Sequence, residues 1–186
     1  MPDHWFVFDV ESVGLHGDAF AFGWVVVDAS GREKESGYES CDPDMCSAGA
    51  RGDREWVAAN VPQLIVSTQS PQGVRAAFWY EWRRARARWP GIAMAADCPW
   101  PVEARFLLDG IRDEITRAAF APYPLYDVAM FLADPTATYE RMPEEMPPHH
   151  PLADARQSAR LLTQAIARQE RGWRASARDR GKRRAP

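Results

Sequence analysis

The chain has 186 residues, of which 46% are hydrophobic, and a formal net charge of −3. This length and apolar content allow one catalytic domain with a sizeable core and argue against two domains. There is no run of about 18 apolar residues and no signal-peptide pattern, so we expect a soluble, cytoplasmic protein without a membrane partner. The three cysteines lack a paired C-x-x-C spacing, which argues against a disulfide framework or a zinc knuckle and predicts reduced thiols.

The charge is distributed unevenly along the chain. From Arg168 onward there are eight basic and two acidic side chains, which give +6, so the preceding residues sum to −9. A basic arm of this kind fits attraction to phosphate backbones, and a solvated, disordered C-terminus explains it equally well. We therefore expect a catalytic domain over residues 1–169 and a basic, disordered tail over residues 170–186.

The N-terminal half predicts three strands followed by two helices. Residues 4–10 form a first strand that ends at a pair of acids. Residues 19–28 are a largely apolar run closed by an Asp-Ala-Ser-Gly turn, and residues 33–40 complete a hairpin with that run. Helical spacing of apolar residues then predicts helices over 54–66 and 70–89.

Both helices have an apolar side. Trp56 lies on that side of the first helix, together with two valines and a leucine at helical spacing. The second helix carries four arginines on its opposite face: Arg83, Arg84, Arg86 and Arg88. Such a face could contact nucleic acid, but a solvated helix face is the commoner explanation.

The next segment has the order strand, acid, turn, helix. Residues 92–97 predict a short buried strand that ends in Asp97, and a helix is predicted over 102–119 after a proline-containing turn. In open α/β sheets ligands gather at the carboxyl ends of the strands. Asp97 is therefore expected near the acids of the first strand if the two strands are neighbours.

The C-terminal part predicts one more strand and a long helix. The strand begins at Pro124 and passes into a helical turn that Asp127 is expected to cap. A proline-rich loop over 135–148 precedes the final helix, which is predicted over 151–169. Asp154 falls in the first turn of that helix, where the helix dipole also favours an acid.

Asp9 and Glu11 stand one residue apart at the end of the first strand. Residues i and i+2 of a β-strand point to the same face, so the two carboxylates should project together. Adjacent anionic oxygens at the end of a buried strand are costly unless a hard cation such as Mg²⁺ or Mn²⁺ neutralises them. The pair therefore predicts a metal site.

Taken together, these segments resemble the DEDDh family of 3′-to-5′ exonucleases. The resemblance covers roughly residues 5–168 and rests on four stretches in the family's order: Asp9-x-Glu11-Ser-x-Gly14-Leu15, a mid-chain acid, Tyr126-Asp127-Val-Ala, and His149-His150-Pro-Leu-Ala-Asp154. It implies an α/β, ribonuclease H-like fold, a mixed five-stranded sheet flanked by helices. It also implies hydrolysis from the free 3′ end of single-stranded or short nucleic acid, and a homodimer is a further expectation.

The resemblance assigns a role to each site residue. Two divalent ions, Mg²⁺ or Mn²⁺, would be held by Asp9, Glu11, Asp154 and the mid-chain acid, with Asp9 bridging both ions. His149 would take the proton from the attacking water, because an imidazole has a pKa near neutrality.

The position of the mid-chain acid has two interpretations. Counting back from the apolar residues of the following helix selects Glu103, whereas counting from the end of the strand selects Asp97. We favour Asp97, because that choice does not require the longer side chain of a glutamate. If neither carboxylate reaches the metals, an inactive nucleic-acid-binding module on the same fold becomes the alternative function. His149 has the family's five-residue spacing to Asp154, and His150 is one residue closer.

Substrate contacts are expected next to the acids. The resemblance places Gly14 and Leu15 against the terminal base and sugar, and we group Ser12 with them. Trp100 either stacks on a base of a single strand or packs in the core, and the two interpretations have equal weight. The residues that would distinguish DNA from RNA through the 2′-hydroxyl carry no signature in the sequence.

Overall fold

A five-stranded mixed β-sheet with helices on both faces forms the protein, as predicted. The computed structural model describes residues 1–133 and 139–182, with side chains described as far as residue 171. The strand order is β3-β2-β1-β4-β5. The strands are β1 (His4–Ser12), β2 (Ala19–Asp28), β3 (Glu33–Ser40), β4 (Ala93–Ala96) and β5 (Leu125–Asp127), and the helices are α1 (Asp53–Asn60), α2 (Pro71–Arg88), α3 (Val102–Asp113) and α4 (Pro151–Lys182).

Alternation along β1 builds a core on each face of the sheet. Phe6 and Phe8 point to one face, where they contact Phe78 of α2. Trp5 and Val7 point to the other face, where they belong to a second cluster with the apolar stripe of α4. The central strand is therefore buried on both sides, and the helices on each face have fixed positions relative to it.

The strand directions bring two carboxyl ends to one edge of the sheet. β1, β2 and β3 form an antiparallel meander, whereas β4 is parallel to β1 and β5 is parallel to β4. Phe8 pairs with Ala96 at the end of the β1–β4 ladder. The next residue on each strand is an aspartate, so Asp9 and Asp97 lie side by side at this edge.

Three predicted helix ends were wrong. α1 ends at Asn60 rather than near residue 66, because Val61 is extended and Pro62 has no N–H to continue the helix. α3 ends at Asp113, and a 3₁₀ turn over Ile115–Phe120 replaces its predicted last turn. α4 continues to Lys182 rather than ending near residue 169.

The cap at Asp127 and the unpaired cysteines agree with the sequence-based expectations. Asp127 caps the helical turn that follows β5, accepting a hydrogen bond from the backbone N–H of Ala129 at 2.9 Å. The three cysteines are free thiols. Most side chains of the predicted basic tail, and residues 183–186 entirely, lie outside the described residues. No helix in the described part of the chain is long and apolar enough to span a bilayer.

The arginine face of α2 is occupied by contacts within the chain. Arg84 and Arg88 both form ion pairs with Glu35 of β3. Arg83 and Arg86 lie over the ring of Phe120. These contacts favour a structural role for this face.

Gly23 allows α4 to lie directly on the sheet. It pairs with Asp9 across the β1–β2 ladder. A Cβ at Gly23 would lie 2.2 Å from the backbone nitrogen of Leu152 and 2.2 Å from the carbonyl carbon of Pro151. The first turn of α4 can therefore approach β2 only because this residue has no side chain.

Replacing Gly23 should separate α4 from the sheet. We expect Gly23→Ala to lower the free energy of unfolding by about 1–3 kcal/mol, since backbone rather than a flexible side chain must move. Urea denaturation measures this change. Gly37→Ala is the matched control, because its Cβ would lie 3.4 Å from Trp24, an ordinary contact, and it should change stability by less than about 0.5 kcal/mol. Equal losses in both variants would contradict the close-approach argument.

Candidate active site

Five carboxylates converge beside the end of β1. Burial raises the pKa of Asp9 well above its ordinary value, and repulsion from the other four raises it further: Glu11, Asp154, Glu103 and Asp97. Asp9 and Glu11 share the sheet face that α4 covers. Asp154 lies in the first turn of α4, next to the point where that helix rests on Gly23. The four elements β1, β4, α3 and α4 thus bring together acids that are far apart in sequence.

Two of these acids, together with His149, have the spacing of metal ligands. One ligand atom each from Glu11, His149 and Asp154 lie within 4.8 Å of one another. Oxygen donors with one imidazole suit a hard divalent cation such as Mg²⁺ or Mn²⁺. Mutual repulsion among partly buried carboxylates adds to the fit, because a bound cation relieves it.

Burial also opposes the ionisation of Glu11. Burial raises its pKa to about 8, with further increases from Asp154 and Glu103, while the Arg141 guanidinium opposes the shift. Its side chain is buried. Glu11 therefore holds a proton at neutral pH unless a cation binds beside it.

Both candidates for the mid-chain acid lie in the cluster. Glu103 is buried in the first turn of α3, and burial raises its pKa to about 7 although the backbone N–H groups of Glu103 and Val10 donate hydrogen bonds to it. Asp97 is exposed at the end of β4, and its pKa is raised by partial burial of the carboxyl group and by repulsion from Asp127 and Asp154. Repulsion from Glu103 raises the pKa of Asp9 and of Glu11, and repulsion from Asp97 raises the pKa of Asp9 and of Glu103.

The two histidines face different partners. The backbone N–H of His149 donates to Oδ2 of Asp154 at 3.1 Å, and its backbone is left-handed with φ of 60°. The His150 ring instead lies edge-to-face against Tyr38 of β3, with centroids 4.8 Å apart. Burial lowers the pKa of His150. His149 therefore places a ring nitrogen near Glu11 and Asp154, whereas the His150 ring packs against Tyr38.

Two residues near the carboxylates, Trp56 and Arg141, were not predicted as site residues from the sequence. Trp56, expected on the apolar side of its helix, is 48% exposed and lies edge-to-face against His149 at 5.1 Å. Arg141, in the proline-rich loop, donates through Nη1 to Oδ1 of Asp154 at 2.6 Å. Periodicity placed Trp56 on the apolar side of its helix and gave no signal for Arg141, because each reaches the site only through the tertiary fold.

The predicted substrate residues lie close in sequence to Glu11 and Asp97. The Ser12 hydroxyl donates to the carbonyl of Gly14 at 2.8 Å, and Gly14 has φ of +78°. This left-handed backbone conformation favours glycine, and a Cβ there would also displace the Asp53 carboxylate, which would lie 1.9 Å away. Leu15 is 63% and Trp100 is 78% exposed, which rules out core packing for Trp100.

The fold resembles that of exonuclease I. Escherichia coli exonuclease I in a zinc-bound complex with single-stranded DNA matches 92% of this chain with a TM-score of 0.61 and 13% identity. The same enzyme with a 5cy-dT13 oligonucleotide matches 92% with a TM-score of 0.55 and 14% identity, and an apo exonuclease I matches 92% with 0.55 and 13%. This chain spans 42%, 42% and 43% of those chains, respectively. No family model and no curated protein sequence matches it.

The raised pKa of Glu11 predicts a pH-dependent stability. Its pKa is about 8 in the folded protein against an ordinary value of 4.5, so the unfolded state loses a proton that the folded state retains as the pH rises between those values. The free energy of unfolding in EDTA should therefore fall over that range. Glu11→Gln should exceed wild type by about 1–3 kcal/mol at pH 8 and match it near pH 4.

Urea denaturation in EDTA across this pH range checks the expectation. Glu55→Gln, at an exposed glutamate of α1, should follow wild type at each pH. A constant difference between Glu11→Gln and wild type would mean that ionisation of Glu11 is not the destabilising step.

Proposed function

We propose that this protein is a metal-dependent 3′-to-5′ exonuclease that hydrolyses phosphodiester bonds in single-stranded or short nucleic acid. The carrying observation is the convergence of Glu11, His149 and Asp154, with ligand atoms within 4.8 Å of one another, beside the further carboxylates of Asp9, Asp97 and Glu103. The exonuclease I fold supports this proposal. Resemblance of the Asp9 and Asp154 motifs to the DEDDh family supports it independently of the fold.

The carboxylates would hold two divalent ions, Mg²⁺ or Mn²⁺. When bound, such ions supply Lewis acidity toward a phosphate and lower the pKa of water. Asp9 is repelled by each of the other four acids and would be one of the ligands. Glu11 and Asp154 would be two more. Asp97 and Glu103 are the two candidates for the remaining ligand.

His149 would act as the general base. One of its ring nitrogens lies within 4.8 Å of ligand atoms of Glu11 and Asp154, so a water held by those carboxylates is within its reach. The hydrogen bond from its backbone N–H to Asp154 fixes the turn that carries the ring. The half-exposed Trp56 ring packs edge-to-face against the His149 ring.

Exposed apolar side chains fit a flexible, unpaired strand end. Leu15 and Trp100 present apolar surface close in sequence to acids of the site, and aromatic faces bind bases of a single strand with little sequence preference. Solved complexes of exonuclease I contain single-stranded DNA, which is in keeping with this substrate class. A nucleic acid with a free 3′ end is therefore the proposed partner.

Metal binding can be tested without substrate. Mn²⁺ at about 100 times its Kd should stabilise wild type by about 2.7 kcal/mol, because it binds only the folded site, and should raise the melting temperature by about 5–10 °C. Asp9→Asn should show no such response. Asp44→Asn, at a side chain that is 89% exposed, should respond like wild type. An equal rise in all three would indicate a metal site elsewhere.

Turnover is tested by digesting a 5′-labelled single-stranded DNA and a matching RNA with Mn²⁺. Wild type should give a ladder that shortens from the 3′ end while every fragment keeps its label. Asp9→Asn, Asp154→Asn and His149→Ala should each slow this by about 100-fold or more. Asp97→Asn and Glu103→Gln, compared side by side, identify the remaining ligand as the one whose loss matches that of Asp9→Asn.

Two other outcomes would change the proposal. Uniform cleavage within the strand would indicate that the protein is an endonuclease and not an exonuclease. A wild type that shifts the intact oligonucleotides on a gel and leaves them undigested would favour the inactive binding module.

A further inference from the structure

Arg141 places a guanidinium inside the carboxylate cluster. Its Nη1 donates to Oδ1 of Asp154 at 2.6 Å and to the carbonyl oxygen of Glu145 at 2.9 Å. The two side chains of the ion pair are only 23% and 15% exposed. The other carboxylate oxygen of Asp154 accepts the His149 N–H at 3.1 Å. Both oxygens of Asp154 are thus already engaged by donors of the chain itself.

The position of Arg141 is built by the surrounding chain. Arg160 of α4 donates to both carboxylate oxygens of buried Glu145, at 2.5 and 2.9 Å, and to the carbonyl of Glu140 at 2.8 Å. Glu145 in turn accepts the backbone N–H of Met142 at 2.9 Å. The residues on both sides of Arg141 are therefore tied to α4, which also carries Asp154. The guanidinium is held against the site by this network.

A guanidinium and a divalent cation compete for the same oxygen. Arg141 stabilises the Asp154 carboxylate electrostatically, because the two side chains form a largely buried ion pair at 2.6 Å. A divalent ion bound by Glu11 and Asp154 would supply the same neutralisation, and it would repel the guanidinium at Oδ1. A displaced arginine beside such an ion is well placed for a phosphate oxygen, because its planar fork matches that geometry.

We propose that Arg141 alternates between two anions. It neutralises Asp154 when no divalent ion is bound, and it binds a phosphate oxygen of the nucleic acid once the ion has taken Asp154. This inference rests on the proposed function, since it requires the metal site at Glu11 and Asp154. It gives Arg141 opposite effects on metal binding and on phosphate binding, which a purely structural residue would not have.

The test measures two affinities in Arg141→Gln by titration calorimetry. Mn²⁺ alone should bind about fivefold more tightly than to wild type, because the competing cation is absent. Thymidine 5′-monophosphate in the presence of Mn²⁺ should bind about fivefold more weakly, because the guanidinium contact is lost. This probe has no phosphodiester bond, so turnover does not affect the measurement.

Two further variants complete the design. Arg141→Lys keeps the charge and removes the fork, so its Mn²⁺ affinity should stay near that of wild type while nucleotide binding weakens; it also serves if Arg141→Gln does not fold. Arg112→Gln, at a side chain that is 68% exposed, should leave both affinities unchanged.

The outcomes separate this inference from the proposed function. Unchanged or weaker Mn²⁺ binding by Arg141→Gln, with binding abolished in Asp9→Asn, would overturn the alternation and leave the metal site standing. Tighter Mn²⁺ binding with unchanged nucleotide binding would keep the competition and remove the phosphate contact. Absence of Mn²⁺ binding in wild type would overturn the proposed metal site and the alternation together.

Discussion

The repulsion among the five carboxylates around Asp9 is the constraint on which the rest of the structure depends. Burial removes the water that would screen them, so each acid raises the cost of ionising its neighbours. The fold holds them together because β1 is fixed by an apolar core on both faces. The closely spaced anions therefore lie beside a strand that is packed on both faces. A cation that relieves their repulsion binds more tightly as a result.

Helix α4 connects this cluster to the rest of the protein. It supplies Asp154, and its apolar stripe fills the second core. Two arginines of this helix form ion pairs with other segments. Arg156 donates to both carboxylate oxygens of Glu33 of β3 at 2.9 and 3.0 Å, and Arg160 donates to both carboxylate oxygens of buried Glu145. The second of these pairs also fixes the segment that presents Arg141. One helix therefore sets the positions of an anion and of the cation that faces it.

The candidate site residues include both buried acids and exposed apolar side chains. Glu11 and Glu103 are buried, whereas Leu15 and Trp100 are open to solvent. The fold is shared with exonuclease I, of which this chain spans less than half the length.

The sequence alone determined the strands and most of the acids, and the mixed five-stranded sheet followed from the family resemblance. Local rules suffice for the acids: alternation along β1 places Asp9 and Glu11 on one face, and the apolar stripe of α4 places Asp154 in its first turn. Tertiary structure decided what local rules do not encode. It placed a ring nitrogen of His149 near two of the acids, and it brought both Asp97 and Glu103 within range of Asp9. It also recruited Trp56 and Arg141, whose roles at the site arise from contacts with distant segments that periodicity does not encode.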